Sequence, residues 1–233
     1  MVRVVLFDLD GTLLPLDVDA FLEKYTRAIG AKVAHVTEPR AFVKQLLYAT
    51  EKMLKDKNPE LTNQEVFWEH FLSGINAPHN QLIPLMDEFY EKDFPDLGQD
   101  IQCDGEASAL VARLKSRGIK MVLATNAVFP EAAVIERMRW VSVDPQDFEF
   151  ITTYENMHFC KPHLEYYQEI IERLGERPEN CIMVGNDVEE DMIAGKIGIK
   201  TFLYGDYLIH RGSNLPHDYS GKLSDLEKVL GFI

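Results

Sequence analysis

Two aspartates separated by one residue follow the first apolar segment of the chain. Residues 2 to 7 are mostly apolar, and Asp8-Leu9-Asp10-Gly11-Thr12 comes directly after them. Two carboxylates this close raise each other's pKa unless a cation lies between them. If the chain leaves a strand in a loop here, Asp8 and Asp10 can converge on one centre with the hard oxygen ligands that suit Mg²⁺. The pair predicts a cation site, although Asp-x-Asp-Gly can also be a plain turn.

Three later apolar segments are likewise followed by polar side chains: Thr125 and Asn126; Lys161; and Asn186, Asp187 and Asp191. A hydroxyl, an amide and an ammonium donate hydrogen bonds to phosphoryl oxygens, and the last group adds oxygen ligands for Mg²⁺. We therefore predict a phosphate held by Mg²⁺, Lys161, Thr125 and the backbone amides around Leu9 and Asp10. Zinc is disfavoured because neither His-Glu-x-x-His nor Cys-x-x-Cys occurs.

The elements that must position these residues alternate between strands and helices. Helices are predicted over 104–117 and 162–174, each with a buried apolar face. Short apolar runs predict four strands and one weaker strand, over 2–7, 119–124, 181–184, 200–204 and 148–152. This alternation predicts an α/β fold with a Rossmann-like, doubly wound parallel sheet, in which ligands lie at the carboxyl ends of the strands.

The pattern changes between residues 16 and 97, where only helical stretches are evident. Phe42, Leu46, Ala49 and Met53 fall on one helix face, and Thr62-Asn63-Gln64-Glu65 has the form of a capping box. A connection this long is unusual inside a compact core. We expect an all-α cap domain over 16–97, inserted into a catalytic core formed by 1–15 and 98–233. The alternative is that these helices simply cover the sheet.

Composition excludes several classes of partner. The 233 residues carry a formal charge of −14, which disfavours a nucleic-acid binder or a protein held on an anionic membrane. No apolar run is long enough to span a bilayer, and three widely spaced cysteines are expected to be reduced. We expect a cytoplasmic monomer or homodimer that binds a small phosphorylated metabolite. The negative charge near the aspartates suits a cation site.

In order along the chain, four segments resemble the motifs of the haloacid dehalogenase superfamily: Phe7-Asp8-Leu9-Asp10-Gly11-Thr12-Leu13, Thr125-Asn126, Lys161-Pro162 and Gly185-Asn186-Asp187-Val188-Glu189-Glu190-Asp191. The first motif is highly specific, and the middle two are weak alone. The resemblance implies a Rossmann-like core, a helical cap after the first strand, and Mg²⁺-dependent hydrolysis of a phosphate ester through an aspartyl-phosphate.

The resemblance also implies residue roles. Asp8 would be the nucleophile and a metal ligand, and Asp10 would act as general acid and then base, with its carbonyl on Mg²⁺. Thr125 would hold a phosphoryl oxygen and Asn126 would support its loop. Lys161 would bridge the phosphate and Asp8.

The fourth motif departs from the family pattern, in which an aspartate follows the glycine. Here Asn186 stands in that place and Asp187 comes next. Either Asn186 ligates the metal through its amide oxygen, with Asp191 supporting the site without touching the metal, or a backbone shift brings in Asp187.

Other activities remain open on the same residues. A phosphomutase would keep the whole core set, and a metal-independent haloacid dehalogenase would need only Asp8, so Asp10 disfavours it. Outside enzymes, a phosphoacceptor switch protein also combines Asp, Thr and Lys at strand ends.

Overall fold

The computed structural model describes residues 2–232, and this part of the chain contains one six-stranded parallel sheet. The strands lie in the order β3-β2-β1-β4-β5-β6. Their bounds are β1 Val4–Phe7, β2 Lys120–Leu123, β3 Phe150–Ile151, β4 Cys181–Gly185, β5 Lys200–Tyr204 and β6 Tyr219–Gly221. The strand order reverses direction between β1 and β4, which is where doubly wound sheets bind their ligands. The predicted α/β fold is confirmed.

The helices are α1 Val18–Lys32, α2 Pro39–Lys55, α3 Asn63–Gly74, α4 His79–Glu88, α5 Glu106–Ser116, α6 Glu131–Trp140, α7 Leu164–Leu174 and α8 Leu226–Val229. The predicted start of α7 at Pro162 is wrong by two residues. His163 has the extended backbone of an N-cap, and Pro162 lies before the helix. Helix α5 is likewise shorter at both ends than the helix predicted over 104–117.

Alternate residues of β1 contact opposite layers of the core. Val5 and Phe7 belong to the larger apolar cluster, while Val4 and Leu6 pack in a second cluster that contains Tyr166 of α7. This alternation follows from the two-residue period of a strand. Because all four side chains are fully buried, β1 is fixed on both faces. The loop that follows it therefore starts from a rigid base.

Helices α1 to α4 fill the segment between β1 and α5. The predicted apolar face of α2 is buried, and the predicted capping box joins Thr62 and Glu65 at the start of α3. The buried residues of these helices are continuous with the cluster on one face of the sheet. The division into a core and a cap at residues 16–97 stays a prediction. Within residues 2–232, no helix is long and apolar enough to cross a bilayer.

The strand register aligns the ends of the three central strands. Phe7 of β1 pairs with Leu123 of β2 on one side and with Val184 of β4 on the other. Beyond these pairs, Asp8 N–H donates to the Val184 carbonyl at 2.9 Å, and Ala124 N–H donates to the Phe7 carbonyl at 2.7 Å. The residues that leave β1, β2 and β4 consequently start from one edge of the sheet.

Candidate active site at the carboxyl edge of the sheet

The chain leaves β1 in a tight loop. The backbone N–H groups of Thr12 and Leu14 both donate to the Leu9 carbonyl, at 3.1 and 2.8 Å. The N–H groups of Leu9 and Asp10 donate to no acceptor among residues 2–232. Successive free amides in a turn form a concave site for an anion. This loop therefore offers two backbone donors directly after Asp8.

Two glycines allow the loops to approach each other closely. Gly11 has a φ of +78°, and a Cβ built on it would lie 2.3 Å from the Asn186 side-chain nitrogen. A Cβ on Gly185 would lie 2.0 Å from a carboxylate oxygen of Asp191. Both positions therefore require glycine, for backbone conformation and space in the first case and for space alone in the second.

Lys161 joins two buried carboxylates at the centre of the site. Its Nζ lies 2.8 Å from Asp8 Oδ1 and 2.6 Å from Asp191 Oδ1, and its side chain is 1% exposed. Burial lowers the pKa of Lys161, but the charges of Asp191 and Asp8 outweigh burial and hold its pKa well above the usual value. Lys161 is accordingly a permanent cation in contact with Asp8.

Asp10 forms an ion pair with Arg137 of α6, a residue that the sequence did not single out. Arg137 Nη1 contacts Asp10 Oδ2, while the second carboxylate oxygen is buried without a partner among the described residues. Burial raises the pKa of Asp10; Arg137 opposes this shift, and the nearby Asp8 adds to it. A carboxyl with a raised pKa can carry a proton closer to neutral pH, as a general acid must.

Arg137 is itself held in a fixed position. Its side chain is fully buried, its Nε donates to the Ala133 carbonyl at 3.2 Å, and its guanidinium lies 4.5 Å from the ring centroid of Phe129. A rigid, stacked guanidinium has less freedom to lose when it binds a carboxylate than a lysine has. Helix α6 thereby fixes the orientation of the Asp10 carboxylate.

Thr125 and Asn126 follow β2 and contact different parts of the site. Tyr166 and Thr152 both donate their hydroxyls to the Thr125 carbonyl, each at 2.7 Å, so the backbone of Thr125 is anchored from behind. Asn126 Oδ1 accepts from the Lys161 N–H at 3.1 Å, and its Nδ2 donates to Glu190 Oε2 at 3.0 Å. Asn126 thus ties the loop after β2 to the backbone of Lys161.

Asn186 and Asp8 both accept from the hydroxyl of Thr12. Thr12 Oγ1 lies 3.0 Å from Asn186 Oδ1 and 3.3 Å from Asp8 Oδ2. Asn186 is oriented by its amide nitrogen, which donates to the Tyr207 carbonyl at 2.7 Å. One amide oxygen and one carboxylate oxygen are therefore brought to the same hydroxyl.

The Asp187 carboxylate bonds to other groups than the Thr12 hydroxyl. Its carboxylate accepts from the N–H groups of Glu189 and Glu190, at 2.9 Å each, and pairs with Arg211 at 2.7 Å. Asp191 lies behind the site, since its second oxygen accepts from the Asp187 N–H at 3.0 Å. Of the two alternatives for the fourth motif, this geometry favours Asn186 over Asp187.

The donor set fits a hard divalent cation. Across the described part of the chain, no three His, Cys, Asp or Glu side chains lie together as metal ligands. The Asp8 carboxylate and the Asn186 amide oxygen converge, however, and the Asp10 carbonyl accepts from no N–H group in residues 2–232. Mg²⁺ takes oxygen ligands and keeps several waters, so three protein oxygens suffice.

Sequence reasoning missed several contributors to this geometry, among them Thr12, Arg137 and Arg211. The hydroxyl of Thr12 stood in the first motif without a role. Arg137 and Arg211 lie in charged or polar stretches that are typical of solvated surface, and only the tertiary fold brings them to carboxylates of the site.

The sequence model of the haloacid dehalogenase-like hydrolase family matches residues 2–197. The chain therefore belongs to this family and is a hydrolase of its type. The fold is shared with the 2-haloacid dehalogenase of Pseudomonas syringae pv. Tomato DC3000, with a TM-score of 0.68, 19% identity and 99% of each chain covered.

Two relatives of similar length are named for phosphorus chemistry. The phosphoglycolate phosphatase of Aquifex aeolicus is 29% identical over 232 residues, covering 98% of this chain and 96% of the relative. The pyrophosphatase PpaX of Bacillus cereus is 26% identical over 236 residues, with the same coverage. Each of these names describes the activity of the relative that carries it and is not a statement about this chain.

Proposed function

We propose that the protein is a Mg²⁺-dependent phosphatase that hydrolyses a small phosphorylated metabolite through an aspartyl-phosphate on Asp8. The observation that carries this proposal is the contact of the buried Lys161 ammonium with Asp8, two residues before Asp10. A carboxylate that approaches a phosphate dianion needs compensating positive charge, and Lys161 supplies part of it. The two phosphatase relatives agree with this chemistry.

In the first half-reaction, a carboxylate oxygen of Asp8 attacks phosphorus and the bond to the ester oxygen breaks. Asp10 donates its proton to the departing alkoxide, which leaves as the alcohol. The free amides of Leu9 and Asp10, together with the Thr125 hydroxyl and Lys161, bind the phosphoryl oxygens. These donors are fixed before the substrate arrives, so little reorganisation opposes the transfer.

In the second half-reaction, the ionised Asp10 takes a proton from water as that water attacks phosphorus. The bond to Asp8 breaks, and phosphate leaves while Asp10 is again protonated. Arg137 stabilises the ionised form of Asp10 between the two steps, because its guanidinium contacts the carboxylate. One carboxyl group can therefore serve as acid and base in turn.

Asp8, the Asp10 carbonyl and Asn186 would hold Mg²⁺, which when bound neutralises phosphoryl charge and orients the phosphate. Asp191 would keep Lys161 and the loop after β4 in place without touching the metal. Helices within 16–97 would form a cap that contacts the leaving group, since the core residues described above recognise only the phosphoryl group.

Phosphate release from p-nitrophenyl phosphate, with and without Mg²⁺, tests the proposal. We expect Mg²⁺-dependent turnover, its loss in Asp8→Asn, and an acid-stable phosphoprotein in wild type during rapid quench with a labelled phosphate ester. Absence of turnover, or turnover that persists in Asp8→Asn, would overturn it. Transfer of the phosphoryl group to a second hydroxyl of a sugar phosphate, without free phosphate, would instead indicate a mutase.

A further inference from the structure

A large cavity adjoins the candidate active site. Its volume is about 890 Å³, and it is lined by helices α1 to α4, by helix α6 and by the loops that follow β2 and β3. Asn126 and Glu190, which contact each other, line it, and Asn126 also binds the backbone of Lys161. The cavity therefore begins where the phosphoryl site ends. A volume of this size accommodates an organic group much larger than a phosphate.

The wall of the cavity is largely aromatic. The hydroxyls of Tyr25 and Tyr90 share one hydrogen bond at 2.7 Å, and Tyr25 is largely buried while Tyr90 is half-buried. The aromatic side chains of the wall are Tyr25, Phe67, Trp68, Tyr90, Phe129 and Tyr154. Aromatic faces bind apolar groups and attract cations through the negative potential of the ring. The wall thus favours an apolar or cationic occupant.

The charges of the wall are strongly one-sided. Seven carboxylates line the cavity against a single guanidinium. Some of these carboxylates already accept hydrogen bonds; for example, Glu155 accepts from the Glu131 N–H at 3.0 Å. By contrast, the side chains of Asp87, Glu91 and Glu131, which are exposed to solvent, form no ion pair within residues 2–232. These three negative charges therefore have no compensating cation among the described residues.

The one cationic side chain of the wall already contacts a carboxylate of the wall. Arg139 Nη1 is paired with Glu136 at 2.9 Å, and its side chain is 66% exposed to solvent. A leaving group with its own carboxylate or phosphate would compete with Glu136 for Arg139 and would face the other six carboxylates of the wall. Such a group costs free energy on binding, because its hydration is lost and repulsion is added.

We infer that this cavity binds the alcohol portion of the substrate and that the preferred substrate is the phosphate monoester of an organic cation with an apolar or aromatic body. The inference rests on the proposed function and narrows its substrate class. The phosphoryl group would bind at Asp8 and Lys161, and the ammonium group would lie among aromatic rings and the carboxylates of the wall. Negative substrates such as phosphoglycolate, for which one relative is named, are expected to be poor.

Three aryl phosphates with nearly equal leaving groups test this inference. Tyramine O-phosphate carries an ammonium, 4-propylphenyl phosphate is its neutral counterpart, and 3-(4-phosphonooxyphenyl)propanoate carries a carboxylate. Since the phenols are of similar acidity, kcat/KM compares recognition of the distal group rather than the chemistry. We expect the ammonium compound to exceed the carboxylate compound by at least about tenfold, with the neutral one between them.

A charge-neutralised variant locates the preference in the cavity. In Asp87→Asn/Glu91→Gln/Glu131→Gln, the ratio of kcat/KM for the ammonium and carboxylate substrates should fall toward one. The matched control is Glu60→Gln/Glu69→Gln/Glu172→Gln, which removes the same charge from exposed sites outside the cavity wall. The control should keep the wild-type ratio, because the net charge of the protein changes equally in both.

The outcomes separate this inference from the proposed function. If p-nitrophenyl phosphate is hydrolysed in an Asp8-dependent way but the carboxylate substrate is equal or best, the inference is wrong and the phosphatase stands. An equal change of the ratio in both triple variants would also overturn it, by assigning the preference to net charge. If no phosphate ester is hydrolysed, the proposed function itself fails.

Discussion

The guanidinium of Arg137, on the helix after β2, contacts the carboxylate of Asp10, on the loop after β1. Two separate elements are thereby joined through the group proposed to carry the proton. The pair is joined through one atom on each side, and the other Asp10 oxygen and one Arg137 nitrogen are buried without partners among residues 2–232. Those two atoms therefore keep unused hydrogen-bonding capacity beside the site.

Replacing Arg137 by Met should weaken both stability and turnover. The change leaves the Asp10 carboxylate buried without its cation, which should lower the free energy of unfolding by about 3 kcal/mol. Turnover should fall more for an alkyl phosphate than for p-nitrophenyl phosphate, whose leaving group needs little protonation. Urea denaturation and steady-state kinetics measure the two effects.

A double-variant cycle supplies the control for that prediction. If the pair contributes as described, Asp10→Asn/Arg137→Met should be less destabilised than the sum of the single variants. Strict additivity would show that the contact does not contribute to stability.

Lys161→Met should destabilise the protein in a pH-dependent manner. Without the ammonium, the Asp8 and Asp191 carboxylates lose the cation that both contact. Burial raises the pKa of Asp191 and Lys161 opposes that shift, so Asp191 should bind a proton still more readily in the folded variant. The loss of stability should be about 3 to 5 kcal/mol near pH 7 and smaller near pH 5, where protonation relieves the repulsion between the two carboxylates. Denaturation in EDTA measures this directly.

Lys44→Met is the control for Lys161→Met, since Lys44 is exposed and forms no ion pair among residues 2–232. Its stability should match that of wild type at both pH values. An equal deficit of Lys161→Met at pH 5 and pH 7 would contradict the electrostatic explanation.

The ionised forms of Glu189 and Glu190 should make contributions of opposite sign to the free energy of unfolding. Burial raises the pKa of Glu190 to about 7, so the folded state holds its proton after the unfolded state has lost it. Stability is therefore lost as pH rises from about 4.5 to 7. Glu190→Gln should leave stability nearly unchanged at pH 4.5 and raise it by up to about 3 kcal/mol above pH 7, measured in EDTA.

Glu189 gives the opposite case. Burial alone would raise its pKa, but hydrogen bonds from Ser213 and Arg211 dominate and lower it to about 2. The ionised form contributes stability above pH 4.5 that is lost as pH falls toward 2. Glu189→Gln should thus be destabilising at pH 7. If both variants shift stability with the same sign there, the assigned environments are wrong.

Mg²⁺ affinity should distinguish Asn186 from Asp187. Asn186→Asp replaces a neutral amide oxygen by a carboxylate and should tighten Mg²⁺ binding, whereas Asp187→Asn should change it less than Asn186→Ala does. Asn186→Ala removes an oxygen ligand and should weaken binding by at least about tenfold. Isothermal titration calorimetry without substrate gives all three affinities. A larger loss in Asp187→Asn than in Asn186→Ala would assign the ligand to Asp187.

The sheet could be predicted because its strands are short apolar runs bounded by turns. The strand β6 was missed, since Tyr219–Gly221 is a polar and partly exposed edge without that signature. The strand predicted over 148–152 is reduced to Phe150–Ile151, where pairing with β2 is confined to two residues.

The contact between Lys161 and Asp8 could be anticipated from the placement of both residues at strand ends. The role of Arg137 could not be anticipated from the sequence. It lies in Glu136-Arg137-Met138-Arg139, where two arginines alternate in a charged stretch, yet Arg137 is fully buried and Arg139 is mostly exposed. Only the packing of α6 against the loop after β1 distinguishes them.

The segment after β5 has a consequence for exchanging parts between relatives. The family match ends at residue 197, but the Tyr207 carbonyl orients Asn186, the Ile209 N–H donates to the Asn186 carbonyl at 2.9 Å, and Arg211 holds Asp187. A chimera that joined residues 1–205 of this chain to the tail of another family member would keep every motif residue but lose the Arg211 side chain, and would keep the two main-chain contacts to Asn186 only if the new tail followed the same path. The motifs alone are therefore not a transferable module, and the tail has to be carried with them.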